Sequence, residues 1–571
     1  MQRNTVLFIV LSMVILIGYP AVLKLFGVEL YPQQQAAQEA TVTPDAAAPQ
    51  ATIAPPAAVP AGTLAPAAPA PQATLAAPVA VPQDLAVHAV EVETDLYHAI
   101  FSTRGGVVTQ WQLKEYLDDD LETPVNLFTA PPMGAVYPLT VTVDGAPGAD
   151  SGVWSADRES IRLSGDQSQT LHLTWVDPAS GGTVTKSLTF HGNAYRVDLA
   201  VETTRLPGNY AVSLGSNFGI RKWAQNTIGF VGVANLVDGD VHREDPDDME
   251  SAPIVREGET SWVVSEDKYF MAALMPETAP RAVSSRAVGE EHLTTALVMP
   301  GGAPSTITLY VGPKEYDHLK AFDRNLQENI DFGWFMFGTW ALVRVLAEPM
   351  FIALKGINSA VGNWGVSIIL LTLIIKTLFM PLTHKSYKSM RAMAAIQPLL
   401  KKVQEKHKDN KEKLGQETMA LYKEHSINPL GGCLPIFIQI PFFIAFFNIL
   451  YTAIELRHAP FMGWIADLSA KDPYYILPVV MGLSMFVQQK IQPSTMDPKQ
   501  ARIMLFLPVL FTFFFMAFPA GLVLYWLFNN LFTVTQQMIT MKYLEKPGAA
   551  VVAGGKGPKG GPDKKPKKSP K

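Results

Sequence analysis

A cation in the middle of a lipid-like segment constrains this chain more than anything else in it. Residues 366–382 read Val-Ser-Ile-Ile-Leu-Leu-Thr-Leu-Ile-Ile-Lys-Thr-Leu-Phe-Met-Pro-Leu, with Lys376 as their only ionisable side chain. Taken from Trp364, the segment approaches the roughly 20 apolar residues that cross a bilayer as a helix. A charge at the centre of such a helix costs roughly 3 kcal/mol on insertion scales. Two readings account for it. The lysine snorkels to the near surface, since only about 10 Å of helix separates it from His384. Alternatively, other spans hold it in a wet cavity inside the membrane, where the charge has a use.

Polar residues elsewhere in the apolar segments favour company for that charge. Thr372 lies four residues before Lys376, on the same helix face. Residues 434–451 carry Gln439 and Asn448, and residues 522–539 carry Tyr525, Asn529, Thr533, Gln536 and Gln537 at helical spacing. Such a stripe either hydrogen-bonds helix to helix, at about 0.6 kcal/mol per contact, or lines a hydrated groove with Lys376. Trp526 adds an aromatic surface. Phe443 and Phe447 in one segment and Phe511 and Phe515 in another are packing or lipid contacts, or a slide for a passing apolar helix.

Hydropathy gives six spans: 6–26, 364–382, 434–451, 474–487, 504–518 and 522–539, the last two joined through Pro519-Ala-Gly521 as a tight hairpin. The first is flanked by Arg3 and Lys24, lacks a clean small-residue cleavage site, and reads as an uncleaved anchor, residues 1–27. Residues 28–83 are almost all Ala, Pro, Gln, Thr and Val. They cannot build a core and read as a semi-rigid tether. From 84 to 320 the period changes to two, as in Tyr195-Arg-Val-Asp-Leu-Ala-Val201, with Gly, Pro, Asn and Asp between the runs. That predicts a large antiparallel β-sandwich acting as a scaffold or docking domain.

Charge fixes orientation. Residues 385–428 hold ten Lys/Arg against five acidic residues, and nine more basic residues follow from Lys542, whereas the opposite loop at 456–473 holds only Arg457 and Lys471. The positive-inside rule puts the basic loops and both termini in the cytoplasm and the β-domain outside. A further crossing at 331–358, a segment rich in Phe and Trp, would reverse that polarity. This segment is therefore expected in the membrane surface as an amphipathic helix. The basic loop reads as a helical hairpin turning at Asp409-Asn-Lys411 and kinked near Gln397 by Pro398. The hairpin, and the basic tail 546–571, suit anionic headgroups, ribosomal RNA or a nascent chain.

Several classes have no support. The chain carries neither a phosphate-binding Gly-rich loop nor a zinc-binding H-E-x-x-H, and its one cysteine, Cys433, forms no intrachain disulfide. No cofactor, metal site, DNA contact or catalytic residue is expected. Ser367 is about 13 Å along the helix from Lys376, too far for a serine–lysine pair, and Ser484 remains an outside option. A transporter or lipid flippase with a charged midplane site is the alternative, although the spans show no two-fold repeat.

Four motifs resemble the YidC membrane-protein insertases: Asn428-Pro-Leu-Gly-Gly-Cys-Leu-Pro435 followed by Gln439-Ile-Pro441; Val361-Gly-Asn-Trp-Gly-Val-Ser-Ile-Ile369; Ala470-Lys-Asp-Pro-Tyr-Tyr-Ile-Leu-Pro478; and Phe518-Pro-Ala-Gly-Leu-Val-Leu-Tyr525. The resemblance spans about residues 310–546, and the outer parts match the Gram-negative architecture more loosely. It implies a non-enzymatic insertase in a bacterial inner membrane, with a five-span core at 359–545 around a groove open to cytoplasm and lipid. It also implies that the chain works alone or beside the Sec translocon on nascent membrane proteins, with ribosomes as further partners. It places the groove's positive charge at Lys376, where bacterial relatives usually have Arg, and Trp526 where relatives often have a second Tyr. Lysine keeps the charge and loses the bidentate fork. The expected groove residues are then Lys376, Thr372, Gln439, Tyr525 and Trp526.

Overall fold

The computed structural model describes residues 88–544, apart from 129–135, 207, 222–229, 245–248, 250–251, 289–291, 336–337, 340, 409, 429–433 and 492–504. The expected anchor span, the tether, the basic tail and Cys433 lie outside the described residues. The chain divides into two compact units, one running to Trp334 and built of strands, the other made mainly of the helices after it.

In the first unit, period-two sequence becomes strand. Along Thr183–His191, Val184, Lys186, Leu188 and Phe190 point inward while the alternate residues are partly exposed. This strand lies in a nine-stranded sheet, pairing antiparallel with Ser168–Val176 on one side and Arg196–Thr204 on the other. A five-stranded sheet containing Ala282–Val288 and His292–Met299 packs on the nine-stranded one through Thr260–Glu266. A second five-stranded sheet joins through rings, with Phe101 edge-on to Phe190 at 5.6 Å. One pairing departs from the antiparallel expectation: Ser160–Arg162 runs parallel to Ala89–Glu93. The last strand of these three sheets ends at Pro313, and a short helix, α1 (Tyr316–Lys320), follows.

Lys186 is the unexpected member of that interior. It occupies an inward position of an alternating strand and is fully buried, with Nζ donating to the carbonyls of Gly105, Gly106 and Leu139. The ammonium also lies 4.2 Å from the centre of the Trp154 ring. No carboxylate is needed, because three carbonyl dipoles and a ring face take the place of water.

The second unit is helical: α2 (Ala341–Val361), α3 (Trp364–Ala395), α4 (Gln397–Lys406), α5 (Lys411–Glu424), α6 (Leu434–Thr452), α7 (Ile476–Ile491), α8 (Leu507–Phe515) and α9 (Ala520–Ile539). Among the described residues α3 alone is long and apolar enough to cross a membrane, while α6 and α7 hold shorter apolar stretches. The expected surface segment 331–358 becomes helical only from Ala341. There Val343, Ala347, Met350, Phe351 and Leu354 form one buried stripe, and Leu342, Val345 and Ile352 stay exposed. This helix packs on α3.

Local chemistry sets the ends. Asn363 caps α3, its side chain accepting from Val366 N at 3.0 Å. Its amide also donates to Phe461 O at 3.0 Å, tying the helix start to the loop after α6. Pro398 breaks the long helix as expected, but at Ile396, so that α4 begins with proline in its first turn. Pro519 gives α9 no side-chain cap; instead Ala470 O accepts from Ala520 N at 2.7 Å and Leu468 O from Gly521 N at 2.8 Å. Gly521 suits this position, since a Cβ there would lie 3.1 Å from Leu468 O. Four residues join α8 to α9, yet α8 also lies tight on α7, where Gly482 faces Thr512.

Candidate functional site

Helix α9 is the hub of the second unit. It packs on α3 and α7 along its length, and each contact carries a polar tie. Asn530 donates to Ser484 Oγ of α7 at 3.1 Å. Thr533 Oγ1 accepts from Lys376 Nζ of α3 at 2.9 Å. Gln537 donates to the Tyr387 hydroxyl, also of α3, at 3.0 Å. The expected stripe therefore does join helix to helix. It also faces an opening: Asn529, Asn530 and Tyr525 border a partly open cavity of about 450 Å³.

All five expected groove residues, Thr372, Lys376, Gln439, Tyr525 and Trp526, line that cavity. Lys376 is only partly exposed, and its ammonium is held sideways on α9 by Thr533. The Thr533 hydroxyl donates its own proton to Asn529 O at 2.7 Å. Its lone pairs are thereby left for the ammonium, the polarity a cation needs. The buried Thr372 hydroxyl donates to Ile368 O at 2.6 Å, within its own helix. It therefore shapes the wall and offers the cavity an acceptor at most.

Three of the four expected slide residues meet around the indole of Trp526. Phe443 stands edge-on to it at 5.0 Å, Phe515 lies 4.9 Å away and Phe511 stacks at 6.4 Å. Phe447 reaches this cluster through Phe443 and Phe518. Of the four, Phe443 alone lines the cavity. Phe515 is 4% exposed and sits inside the cluster, whereas Phe513 on the same helix is 67% exposed. Of the two α8 rings the sequence reading selected, Phe515 is buried and Phe511 partly exposed.

Sequence reasoning missed the α7 wall. Met485, Gln488 and Gln489 line the cavity, and Ser484 is engaged by Asn530 and by Met481 O rather than by a lysine. A signal was present: Gln488 and Gln489 follow four and five residues after Ser484 at the end of an apolar helix, as Asn529 and Asn530 follow Tyr525 on α9. Among the described residues no group of three or more His, Cys, Asp or Glu side chains is placed to hold a metal.

Two family models match the chain: one described as YidC periplasmic domain over residues 89–353, and one described as 60Kd inner membrane protein over residues 356–547. The chain belongs to the YidC family. A YidC membrane protein insertase of Syntrophus aciditrophicus (strain SB) is 40% identical over 468 residues, covering 78% of this chain and 84% of its own. A second, of Geotalea uraniireducens (strain Rf4), is 38% identical over 482 residues, covering 80% and 88%. Among solved structures, an active YidC insertase crystal structure with its first transmembrane domain resolved aligns over 80% of this chain and 92% of that one, at 18% identity and a TM-score of 0.34. The two family models meet within α2, at residues 353 and 356.

Proposed function

We propose that this chain is a membrane-protein insertase whose working part is the Lys376 cavity. One observation carries the reading. A single ammonium stands on the wall of a cavity otherwise bordered by uncharged side chains, among them amides, a phenol, aromatic rings and aliphatic groups, and a hydroxyl that can only accept from it holds it there. The relatives' names as insertases support the same conclusion. In the membrane-embedded protein, six spans leave both termini in the cytoplasm and the β-domain in the periplasm.

The proposed mechanism has no chemical step. A nascent chain arrives at the cytoplasmic hairpin of α4 and α5, helped by the basic tail. Ribosome and anionic lipid are the partners there, and the Sec translocon is a companion for longer substrates. The polar, often acidic, outgoing segment rests near Lys376, attracted through a reduced dielectric. The cavity shortens the dry distance that segment must cross. The apolar segment leaves along the aromatic faces of α6 and α8 into lipid. Its burial drives the step at about 0.8 kcal/mol per CH₂, so no nucleotide is needed.

Purified protein in liposomes tests this. Lys376→Glu should block insertion of single-span substrates with acidic outgoing tails, and Lys376→Arg should keep it, because the potential matters and the fork geometry does not. Wild-type rates in the Lys376→Glu protein would refute the electrostatic part. Ion or lipid movement without insertion would favour a transporter or flippase.

A further inference from the structure

Five carboxamides stand on the cavity wall. Gln439 on α6, Gln488 and Gln489 on α7, and Asn529 and Asn530 on α9 border it, with Lys376 as the one charge on its described walls. Asn530 is committed to Ser484. The side chains of Gln439, Gln488 and Asn529 make no hydrogen bond to another described residue. Gln489 Oε1 is buried and accepts none either. Three of the five helices around the cavity thus each present at least one unspent amide.

A charge and a set of amides answer different needs. The ammonium recognises acidic side chains. A carboxamide offers both an N–H donor and a C=O acceptor, the same pair that each peptide group carries. An extended peptide crossing a bilayer has its N–H and C=O groups unpaired, and lipid cannot satisfy them. Water in a partly open cavity satisfies some. Carboxamides spread over three helices can satisfy others without regard to side chain, as a neighbouring strand would.

We propose that Gln439, Gln488, Gln489 and Asn529 bind the main chain of the outgoing segment, so that the cavity takes extended peptide as a class and Lys376 adds a preference among peptides. This rests on the insertase reading and names what its site recognises.

Backbone esters test it. In the full-length protein in liposomes, a single-span substrate with a neutral Ala/Thr outgoing segment is compared with versions in which one central peptide bond is an ester. The ester lacks the N–H and accepts more weakly. If the segment crosses through water alone, the ester removes a donor that must be desolvated, and insertion stays equal or quickens. If the carboxamides bind the main chain, insertion slows about three- to ten-fold per ester, the worth of a net hydrogen bond. That slowing should vanish in Gln439→Leu/Gln488→Leu/Asn529→Leu and persist in Lys376→Gln.

Equal or faster ester insertion by the wild type overturns the proposal and needs no variant to fold. An unchanged ester penalty in the triple variant, or in Gln439→Met and Asn529→Leu alone should the triple variant not fold, overturns the assignment to these residues. A wild-type protein that inserts no substrate at all overturns the insertase reading instead.

Discussion

Replacing Thr533 by valine removes one hydroxyl and little volume, and it isolates the tether on Lys376. The lost contact is 2.9 Å long and joins an ammonium to an oxygen whose own proton points to Asn529 O. A hydrogen bond to a charged group is worth about 1.5–3 kcal/mol and a neutral one about 1 kcal/mol. Lys376 is partly exposed to the cavity, so water recovers part of the loss, leaving about 1 kcal/mol. The Asn529 carbonyl keeps its place in the helix ladder and is not orphaned. The released ammonium moves away from α9, and insertion of acidic-tailed substrates should fall about five-fold while neutral-tailed substrates are little affected. The assay is a double-mutant cycle in liposomes with Thr533→Val, Lys376→Met and both together. With Lys376 already absent, the valine should cost nothing, giving a coupling of about 1 kcal/mol. Effects that add within about 0.3–0.5 kcal/mol, the range for independent sites, would refute the idea that Thr533 acts through Lys376.

Two further outcomes follow from other contacts. Burial lowers the Lys186 ammonium from 10.5 to about 7, so between those values the unfolded chain binds more protons than the folded one. Stability of the β-unit should therefore rise with pH above 7 and level off beyond 10.5. Urea denaturation of the full chain in detergent, followed through the β-unit, should show this rise in the wild type and a flat profile in Lys186→Met; equal slopes would refute the assignment. At Gly482 an added Cβ overlaps the Thr512 hydroxyl and lies 3.1 Å from Thr512 Cβ. Gly482→Ala should lose about 1–3 kcal/mol in thermal unfolding, Gly482→Ala/Thr512→Ala should recover most of it, and a single variant as stable as wild type would show that α7 and α8 are not packed this closely.

Much of the site was legible because the bilayer penalises polar groups so heavily. Lys376, Thr372, Gln439 and Tyr525 announce themselves as breaks in apolar runs, and all line one cavity. The partner of Lys376 was visible only as one member of a stripe, since sequence spacing does not say which neighbour a helix face meets. Phe515 and Phe513 differ by two positions and are chemically identical. Only the rotation of α8 against α9 decides that one is buried and the other exposed, and no local pattern encodes it. The β-unit read well as alternating strands for the reason that period two survives any topology. Lys186 went unremarked because a charged residue at an inward position looks like an ordinary outward one until the carbonyls of distant turns close around it. The end of the long helix falls at Ile396 because Pro398 has no N–H for the Ala394 carbonyl four residues back, and its ring crowds that carbonyl.

The ties from α9 at Asn530, Thr533 and Gln537 fall on two neighbours within two turns. A slide of α9 by a single residue, about 1.5 Å, would unlatch all three together, so small axial creep is forbidden while their shared rupture is a discrete event. The walls that α3, α7 and α9 contribute are consequently locked in register with one another, and they move as one block or not at all.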